Sequence, residues 1–361
     1  MKVVHIIYSL GLGGIETMLR NIVNKQVNVV EHEIHLIVIN NLVNKELFNS
    51  LDKRIHVHCI GRHIGSKNPV PYIRLNIMLR KIEPDVIHLH YSSIARFIFI
   101  PSLKKKLCVT QHDVCNKQNS NNLWRCKRIY AISNVVQDDI LKWTGLKSEV
   151  VFNGIDVDAI KCRQRNTVNK IFRIVQVSRL MHEKKGQHIL IKALDQLIKK
   201  GYNQISLDLI GEGESYKYLV DLVKELNMDH YVNFLGAKDQ SYIYKHLCEY
   251  DLFVQPSIFE GFGLTVTEAM VAKIPVLVSA NQGPMEIIDN GRYGYYFKNQ
   301  DFKDCAAKIE LFLKGNDDKS MIDKAYHRVV DLYNVELTAK AYLDKYKDFI
   351  GSGYAKRNLN G

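Results

Sequence analysis

The sequence lacks the short cysteine spacings that mark zinc and redox sites. It contains seven cysteines, an odd number, and no two of them stand in a CxxC arrangement. Small secreted scaffolds and metal-binding modules usually display such spacings. We therefore predict reduced thiols, with no disulfide framework, no metal site and no cofactor.

Long apolar runs are also missing. Nowhere do 18 apolar residues follow one another, and the best candidate, residues 94–107, is interrupted by Arg96, Pro101 and the lysine triplet 104–106. The apolar run near Met1 is about six residues long, too short for the core of a signal peptide. These absences predict a cytoplasmic protein that does not span a membrane.

Negative charge is scarce in the first half of the chain. Residues 1–165 hold 24 Lys and Arg residues against 13 Asp and Glu residues, so they carry nearly all of the net charge of +12. Such an asymmetry is typical of a protein that meets a nucleic acid, an anionic membrane surface or a phosphate-bearing substrate. The densest basic run is Lys104 to Lys106, which could equally be a solvated loop flank.

Short β-branched runs alternate with amphipathic helical sequence along the whole chain. This rhythm is typical of parallel sheets with helical crossovers, and it predicts an α/β fold with two doubly wound, Rossmann-like domains. The predicted strands cover residues 3–8, 35–39, 55–59, 86–90, 107–111, 129–132 and 150–152, then 173–177, 207–210, 232–235, 252–255, 275–278 and 294–297.

A length of 361 residues also favours two domains. The polar segment 158–170 reads as a linker, so we place the N-terminal domain at 1–165 and the C-terminal domain at 166–334. A helical stripe at about 335–350 is followed by no strand, and we expect this helix to pack back toward the N-terminal domain.

Three loops that follow predicted strands carry residues suited to binding phosphate. The first contains Gly13, Gly14 and Glu16 before a helix; it lacks the GxGxxG spacing, so a purely structural turn is the alternative. The second, SRLMHEKKG, supplies Arg179 and Lys185, two cations that could hold a pyrophosphate. An isolated Arg and Lys pair on a surface loop is the alternative there.

The third loop is the most informative segment, with the sequence EGFGLTVTEAM. Glu260 lies in the loop and Glu268 in the following helix, so the two carboxylates flank the start of that helix. Glycines in the loop permit a close backbone approach to an anion, and a carboxylate can accept two hydrogen bonds from the vicinal hydroxyls of a sugar. The residues that would hold the anion are Gly261, Phe262, Gly263, Leu264 and Thr265.

Glu260, seven intervening residues and Glu268 resemble the signature of the retaining glycosyltransferases of family 4. SRLMHEKKG, GLGGIE, QHD at 111–113 and NGID at 153–156 resemble further segments of that family, in the same order, and the resemblance covers about residues 1–350. It implies the GT-B fold, in which two Rossmann-like domains face a deep cleft.

The resemblance also implies roles for individual residues. Arg179 and Lys185 would stabilise the departing diphosphate, Glu268 would bind the ribose, and Glu260 would contact the donor sugar. His112, after an N-terminal strand, would face the transferred sugar, although a lone histidine there is more often structural. Gly211 and Gly236 resemble family positions that line the nucleobase pocket, with strand-end packing as the alternative.

One segment departs from the family pattern. Where family members carry a Gly-Gly pair, this chain has Gly283 followed by Pro284, and proline removes an N–H that could contact a phosphate. This affects the placement of the donor rather than the class of enzyme.

From these features we expect a retaining hexosyl- or N-acetylhexosaminyltransferase without a metal. Its donor is a nucleotide-diphospho-sugar, UDP-linked in preference to GDP-linked. Its acceptor is a saccharide on a polyprenyl diphosphate lipid, in the assembly of O-antigen, capsule or exopolysaccharide. The protein would lie peripherally on the anionic inner face of the cell membrane and bind no specific nucleic acid. The alternatives are a nucleotide-sugar epimerase of the same fold and a non-catalytic basic binding module.

Overall fold

A computed structural model describes residues 1–11, 13–29, 31–116, 120–164, 171–280 and 283–358, with side chains up to residue 351. The chain divides into two compact units. Unit 1 comprises Met1–Gly154 and Asn334–Gly361, and unit 2 comprises Ile155–Tyr333. The observed division falls after Gly154, whereas the sequence predicted a boundary at residue 165. Residue 165 itself lies outside the described part of the chain. Ile155 already belongs to unit 2, and its N–H donates to the Tyr333 carbonyl at 2.9 Å.

Unit 1 contains a seven-stranded sheet in the order β3-β2-β1-β4-β5-β6-β7, and every pair of neighbours is parallel. Its strands are β1 (Lys2–Ile7), β2 (Glu33–Asn40), β3 (His56–Arg62), β4 (Val86–Leu89), β5 (Leu107–Gln111), β6 (Arg128–Ala131) and β7 (Glu149–Val150). Its first five helices are α1 (Gly14–Gln26), α2 (Lys45–Asn49), α3 (Val70–Ile82), α4 (Pro101–Lys104) and α5 (Asn134–Thr144). Short 3-10 turns occur at Ser92–Phe97 and Leu123–Arg125.

Unit 2 repeats the architecture with six parallel strands in the order β10-β9-β8-β11-β12-β13. The strands are β8 (Phe172–Val177), β9 (Ile205–Ile210), β10 (Val232–Gly236), β11 (Leu252–Gln255), β12 (Val276–Ser279) and β13 (Tyr295–Phe297). The helices are α6 (His182–Lys185), α7 (Gln187–Lys199), α8 (Tyr216–Glu225), α9 (Gln240–His246), α10 (Leu264–Val271), α11 (Gly283–Ile287), α12 (Phe302–Leu313) and α13 (Lys319–Leu332), with 3-10 turns at Val157–Ala159 and Leu247–Glu249.

The strands form where the sequence has unbroken apolar runs. In β1 the side chains of Val3, Val4, Ile6 and Ile7 are fully buried, as expected when helices cover both faces of a parallel sheet. Each of the thirteen predicted strands overlaps an observed strand, and only their ends differ. The prediction of two Rossmann-like domains is therefore confirmed.

The chain ends in α14 (Val335–Asn358), which belongs to unit 1 and packs against α1. The helix continues past residue 350, where its apolar stripe ends. Tyr342 and Tyr346 are fully buried, and their hydroxyls hydrogen-bond to Thr110 and His88 on neighbouring strands of the sheet, at 2.9 Å and 2.5 Å. These bonds tie the last helix of the chain to the first sheet.

Each sheet has one point where the chain direction across the sheet reverses, between β1 and β4 in unit 1 and between β8 and β11 in unit 2. The loops that follow those strands diverge, and in open α/β sheets this divergence leaves a crevice for a ligand. In unit 2 the two loops are Ser178–Gly186 and Pro256–Gly263, which are the segments singled out from the sequence.

All seven cysteines are free thiols. Among the described residues we find no helix with the length and apolar character that crossing a bilayer requires.

Candidate functional site

The loop after β8 presents the two predicted cations differently. Arg179 is 70% exposed, and its Nε lies 3.8 Å from Glu214 Oε2, a weak exposed pair that an incoming anion can displace. Lys185 ends α6 and is only 19% exposed. Its Nζ donates to Glu260 Oε2 at 2.5 Å. One cation of this loop is therefore free to move, whereas the other is held by a carboxylate.

Glu260 is the central residue of this part of unit 2. Its Oε2 also lies 3.3 Å from Gln255 Nε2 and 3.4 Å from Ser257 Oγ, so several donors converge on one carboxylate. The Glu260 side chain is 15% exposed and forms an ion pair with Lys185. The sequence indicated Glu260 and Lys185 separately, and the structure brings them into direct contact across two loops.

Gly186 is the residue that allows the loop carrying Lys185 to approach the loop carrying Glu260. Its φ is +67°, and a Cβ at this position would overlap the Pro256 carbonyl. Ile258 N–H donates to the Lys184 carbonyl at 2.8 Å. The two loops thus touch through their backbones, which positions Lys185 and Glu260 beside each other.

Helix α10 begins directly after the Glu260 loop. Gly263 precedes it with φ +107°, a conformation that favours glycine, and its Cβ would lie 3.1 Å from Pro284 Cγ. Gly283 N–H donates to the Glu260 carbonyl at 2.9 Å, and a Cβ on Gly283 would crowd Gly261 and Phe262. Pro284 therefore packs on the loop that precedes α10, while Asn281 and Gln282 lie outside the described residues.

The first N–H groups of a helix have no acceptor within the helix, and the helix dipole adds partial positive charge there. In α10 these groups belong to Leu264 and Thr265. The structure therefore places the predicted anion-binding segment at a helix N-terminus that follows the Lys185–Glu260 pair in the chain.

Glu268 lies within α10 and is 8% exposed. Burial raises the pKa of its carboxyl to about 8, and a hydrogen bond from Gln240 opposes that rise. Gln240 begins α9 and also donates to the Tyr244 hydroxyl at 2.7 Å. A carboxyl that is half ionised near pH 8 can change its charge when a ligand binds.

Gly211 and Gly236 occupy the ends of adjacent strands. Gly211 has φ +142° and donates its N–H to the Gly236 carbonyl at 2.9 Å, while a Cβ on Gly211 would overlap the Ser178 carbonyl. These contacts show a packing role for Gly211 beside the loop that carries Arg179. The place of Gly211 and Gly236 in a nucleobase pocket stays a prediction.

In unit 1 the predicted glycine loop leads into α1, whose cap is Gly13 and whose first residue is Gly14. The Glu16 carboxylate folds over Gly13, so closely that a Cβ there would overlap it. A carboxylate already occupies this helix N-terminus, which weakens the expectation that the loop binds a phosphate. Leu12 lies outside the described residues.

His112 directly follows β5 at the carboxyl edge of the first sheet. Its Nε2 bonds to His90 Nδ1 at 3.0 Å, and burial lowers its pKa to about 3, so the imidazole is neutral. Its Nδ1 is buried and has no partner among the described residues. The His112 ring is thus directed toward His90. Its contact with a sugar stays a prediction.

Sequence reasoning missed the groups that hold these residues. His90 bonds on to His5 at 3.1 Å, and His5 bonds to Gln26 at 2.8 Å, in a buried chain that ends at His112. The signal was the alternation of His88, in an otherwise apolar strand, with His90 directly after that strand. Gln255, a buried polar residue at the end of β11, was the corresponding signal for Glu260.

Two family models match most of the chain. Residues 12–159 match the model described as Glycosyltransferase Family 4, and residues 160–328 match the model described as Glycosyl transferases group 1. A probable sucrose-phosphate synthase of Thermosipho melanesiensis is 31% identical over 174 residues, which are 46% of this chain and 40% of that protein. WcaL of Salmonella typhimurium, a putative colanic acid biosynthesis glycosyltransferase, is 26% identical over 189 residues, 50% of this chain and 46% of that protein.

The chain thus spans less than half the length of these curated relatives. Among solved structures, Anabaena HepE in complex with UDP-glucose superposes with a TM-score of 0.80 at 21% identity, covering 96% of this chain and 100% of that chain. By these matches the chain carries two glycosyltransferase domains in the GT-B fold, the first similar to the Glycosyltransferase Family 4 model and the second similar to the glycosyl transferases group 1 model.

Proposed function

We propose that the protein is a retaining glycosyltransferase that moves a hexose or N-acetylhexosamine from a UDP-sugar to a hydroxyl of a lipid-linked saccharide. The observation that carries this proposal is the ion pair of Lys185 with Glu260, whose loop leads into the N-terminus of α10, with buried Glu268 in that helix. A cation, a helix N-terminus and two carboxylates are what a nucleotide-diphospho-sugar requires.

In the proposed mechanism, Arg179 and Lys185 neutralise the charge that develops on the leaving diphosphate. Lys185 is held by Glu260 through one N–H, and its ammonium has two further N–H donors for a phosphate oxygen. Arg179 exchanges its exposed contact with Glu214 for the diphosphate. Because Lys185 is fixed before the reaction, it favours the transition state more than the bound donor.

The acceptor hydroxyl then attacks the anomeric carbon from the side that the diphosphate leaves. A departing phosphate oxygen takes the hydroxyl proton, the new glycosidic bond forms on the same face, and the configuration is retained without an enzyme nucleophile. The transfer needs no metal ion in this proposal, since Arg179, Lys185 and the start of α10 supply the positive charge.

The choice of nucleotide is tested by calorimetric titration of the chain with UDP, GDP and ADP in the absence of metal. We expect UDP to bind with at least tenfold lower Kd than GDP or ADP. UDP is the nucleotide in the HepE complex, and its assignment to this chain rests on the proposal. A chain that binds none of the three nucleotides would contradict a donor site in unit 2.

We further propose that unit 1 lies on an anionic membrane surface, on the inner face of the cell membrane, where a polyprenyl diphosphate acceptor is found. Helix α3 exposes three apolar side chains on successive turns, Val70, Ile73 and Ile77. A groove of about 460 Å³ adjoins this face, with half-exposed Phe99 on its wall. An exposed apolar stripe beside basic residues is typical of helices that lie in a membrane interface.

The basic residues around this face complete the argument. Arg80 and Lys81 line the same groove, and Lys104 and Lys105 are exposed at the end of α4. Lys106 differs from its two neighbours, because its Nζ donates to the Pro84 carbonyl at 2.6 Å. The predicted lysine triplet therefore offers two exposed cations, each contributing about 1 kcal/mol toward an anionic leaflet.

Cosedimentation with phosphatidylglycerol vesicles tests this surface. Introducing Ile73→Glu together with Ile77→Glu should weaken vesicle binding at least tenfold, because apolar area is lost and negative charge is added. Ile171→Glu, at an equally exposed apolar residue of unit 2, should leave binding unchanged. Equal binding of all three proteins, or binding that does not weaken at high salt, would contradict the proposal.

A further inference from the structure

A second group of ligand-type side chains lies at the amino ends of β2 and β3, away from the carboxyl-end loops described above. Glu33 and His35 are two residues apart on β2 and therefore project from the same face of the sheet. His56 begins β3 and is the direct neighbour of His35 in the parallel register. One ligand atom from each of these three residues lies within 4.8 Å of the other two.

The distances are close to those of a metal site without its ion. Glu33 Oε1 lies 2.8 Å from His35 Nε2 and 4.0 Å from His56 Nε2, and the rings of His35 and His56 stack with centroids 4.7 Å apart. Three ligand atoms bound to one ion at about 2.0–2.2 Å would be separated by about 3–3.5 Å. Side-chain rotation of exposed His56 closes the longer gap.

His35 is oriented by a second hydrogen bond. Its Nδ1 lies 3.0 Å from His58 Nε2, and the two rings are nearly parallel. Histidines that bind metal usually carry such a partner on the nitrogen that does not face the ion. With an ion on Nε2, the proton of neutral His35 resides on Nδ1 and is donated to His58.

Burial and charge also suit an ion. His35 is 7% exposed, whereas Glu33 and His56 are 45% and 55% exposed, so one ligand is fixed and the site opens to solvent. Lys2 Nζ lies 3.6 Å from the other carboxylate oxygen, Glu33 Oε2, and leaves Oε1 to the ion. The buried cluster of His5, His88 and His90 differs, because both nitrogens of His88 are already bonded, to Tyr346 and Thr110.

We propose that Glu33, His35 and His56 bind one divalent transition-metal ion, with Zn²⁺ as the favoured species and water completing the coordination. Two imidazoles and one carboxylate select zinc and its neighbours over Mg²⁺ and Ca²⁺, which prefer oxygen ligands only. The strand β3 is an edge of its sheet, so the ion would fasten this edge strand to β2. It takes no part in sugar transfer.

Calorimetric titration of the full chain, purified without a polyhistidine tag, with ZnCl₂ tests the site. We expect one Zn²⁺ per chain, and His56→Ala should weaken its binding at least tenfold. The matched control is His63→Ala, an exposed histidine just beyond the end of β3, which should bind Zn²⁺ as the unchanged chain does. MgCl₂ should produce no saturable binding.

Thermal unfolding gives a second reading that does not depend on the heat of binding. Saturating Zn²⁺ should raise the Tm of the unchanged chain and of His63→Ala, because a ligand that binds the folded state stabilises it, and should raise the Tm of His56→Ala by less. Binding with equal affinity to the unchanged chain and to His56→Ala would overturn the proposal, as would a chain that binds no Zn²⁺. Both measurements are independent of the proposed transfer activity.

Discussion

Replacing Lys185 with alanine is expected to lower kcat for sugar transfer about 10²–10³-fold, while the Kd for the UDP-sugar changes much less. A fixed donor that meets developing charge contributes on this scale, and its contribution is larger in the transition state than in the bound donor. Lys185 meets this description because Glu260 holds its ammonium at 2.5 Å in a largely buried place. Initial rates and calorimetric Kd values, measured on the same preparations, separate the two effects.

Lys185→Ala also leaves the Glu260 carboxylate without its cation, so the Tm of this variant must be measured. Lys185→Arg retains the charge and should preserve the Tm, although the shape of the guanidinium changes its distance to a phosphate. Lys184→Ala, at the neighbouring lysine of α6, is the matched control and should keep kcat within about twofold. Equal losses of kcat and donor affinity in Lys185→Ala would contradict a role in the transition state.

Arg179 should behave differently from Lys185 because it is not preorganised. Its side chain is 70% exposed and its contact with Glu214 is long. Ordering a long, mobile side chain costs conformational entropy, which reduces what Arg179 contributes when it closes on the diphosphate. The different surroundings of the two cations, rather than their charges, therefore make Lys185 the more informative substitution.

The fold could be predicted from the sequence because its signal is local. A buried parallel strand requires a short apolar run, and each of the thirteen runs, from residues 3–8 to residues 294–297, became a strand. The boundary predicted at residue 165 differs from the observed division after Gly154. Polar composition marks a segment on the surface, but it does not mark the residue at which the chain stops packing in unit 1 and starts packing in unit 2. The buried side chains of Ile155, Val157 and Ile160 lie in unit 2 before the polar stretch ends.

The sequence indicates the residues of the candidate site but not the contacts between them. The motif spacing indicated Lys185 and Glu260, yet their ion pair depends on Gly186 letting two backbones approach. Likewise, the sequence could not show that His112 bonds to His90. Both contacts join groups on different loops or strands, which spacing along the chain does not indicate.

The expectation of no metal site stays a prediction. It rested on cysteine spacing, which says nothing about histidines that adjacent strands bring together. His35 and His56 are twenty-one residues apart in the chain and become neighbours only through the register of β2 and β3. The expectation that sugar transfer needs no metal concerns the donor site of unit 2. It is independent of the zinc site proposed in unit 1.

The pKa of Glu268 leads to the second large effect, a donor affinity that rises with pH. Burial raises this pKa to about 8, so the carboxyl is mostly protonated at pH 7 in the ligand-free chain. If Glu268 binds the ribose hydroxyls as a carboxylate, it must first ionise, which costs about 1.4 kcal/mol at one pH unit below its pKa. The Kd for a UDP-sugar should then fall about tenfold between pH 7 and pH 9.

The same shift predicts how stability changes with pH. A carboxyl whose pKa is higher in the folded chain than in the unfolded chain favours folding while it is protonated. Its contribution is complete below about pH 4.5, the unfolded value, and is lost as the pH rises through about 8. The Tm of the ligand-free chain should therefore decrease from pH 6 to pH 9 more steeply than the Tm of Glu268→Gln, whose amide does not ionise.

Calorimetric titration with UDP-glucose at several pH values decides the role of Glu268, because the diphosphate of a nucleotide sugar carries no group that ionises between pH 7 and pH 9. Glu268→Ala should abolish measurable binding, and Glu268→Gln should bind weakly with a Kd that is independent of pH. Glu225→Gln, at an exposed glutamate of α8, should retain the pH dependence of the unchanged chain. An affinity that weakens as the pH rises through 8 would mean that the protonated carboxyl, as a hydrogen-bond donor, is the form that binds. An affinity unaffected by Glu268→Ala would remove this residue from the donor site and leave Lys185 and the start of α10 to bind the nucleotide sugar.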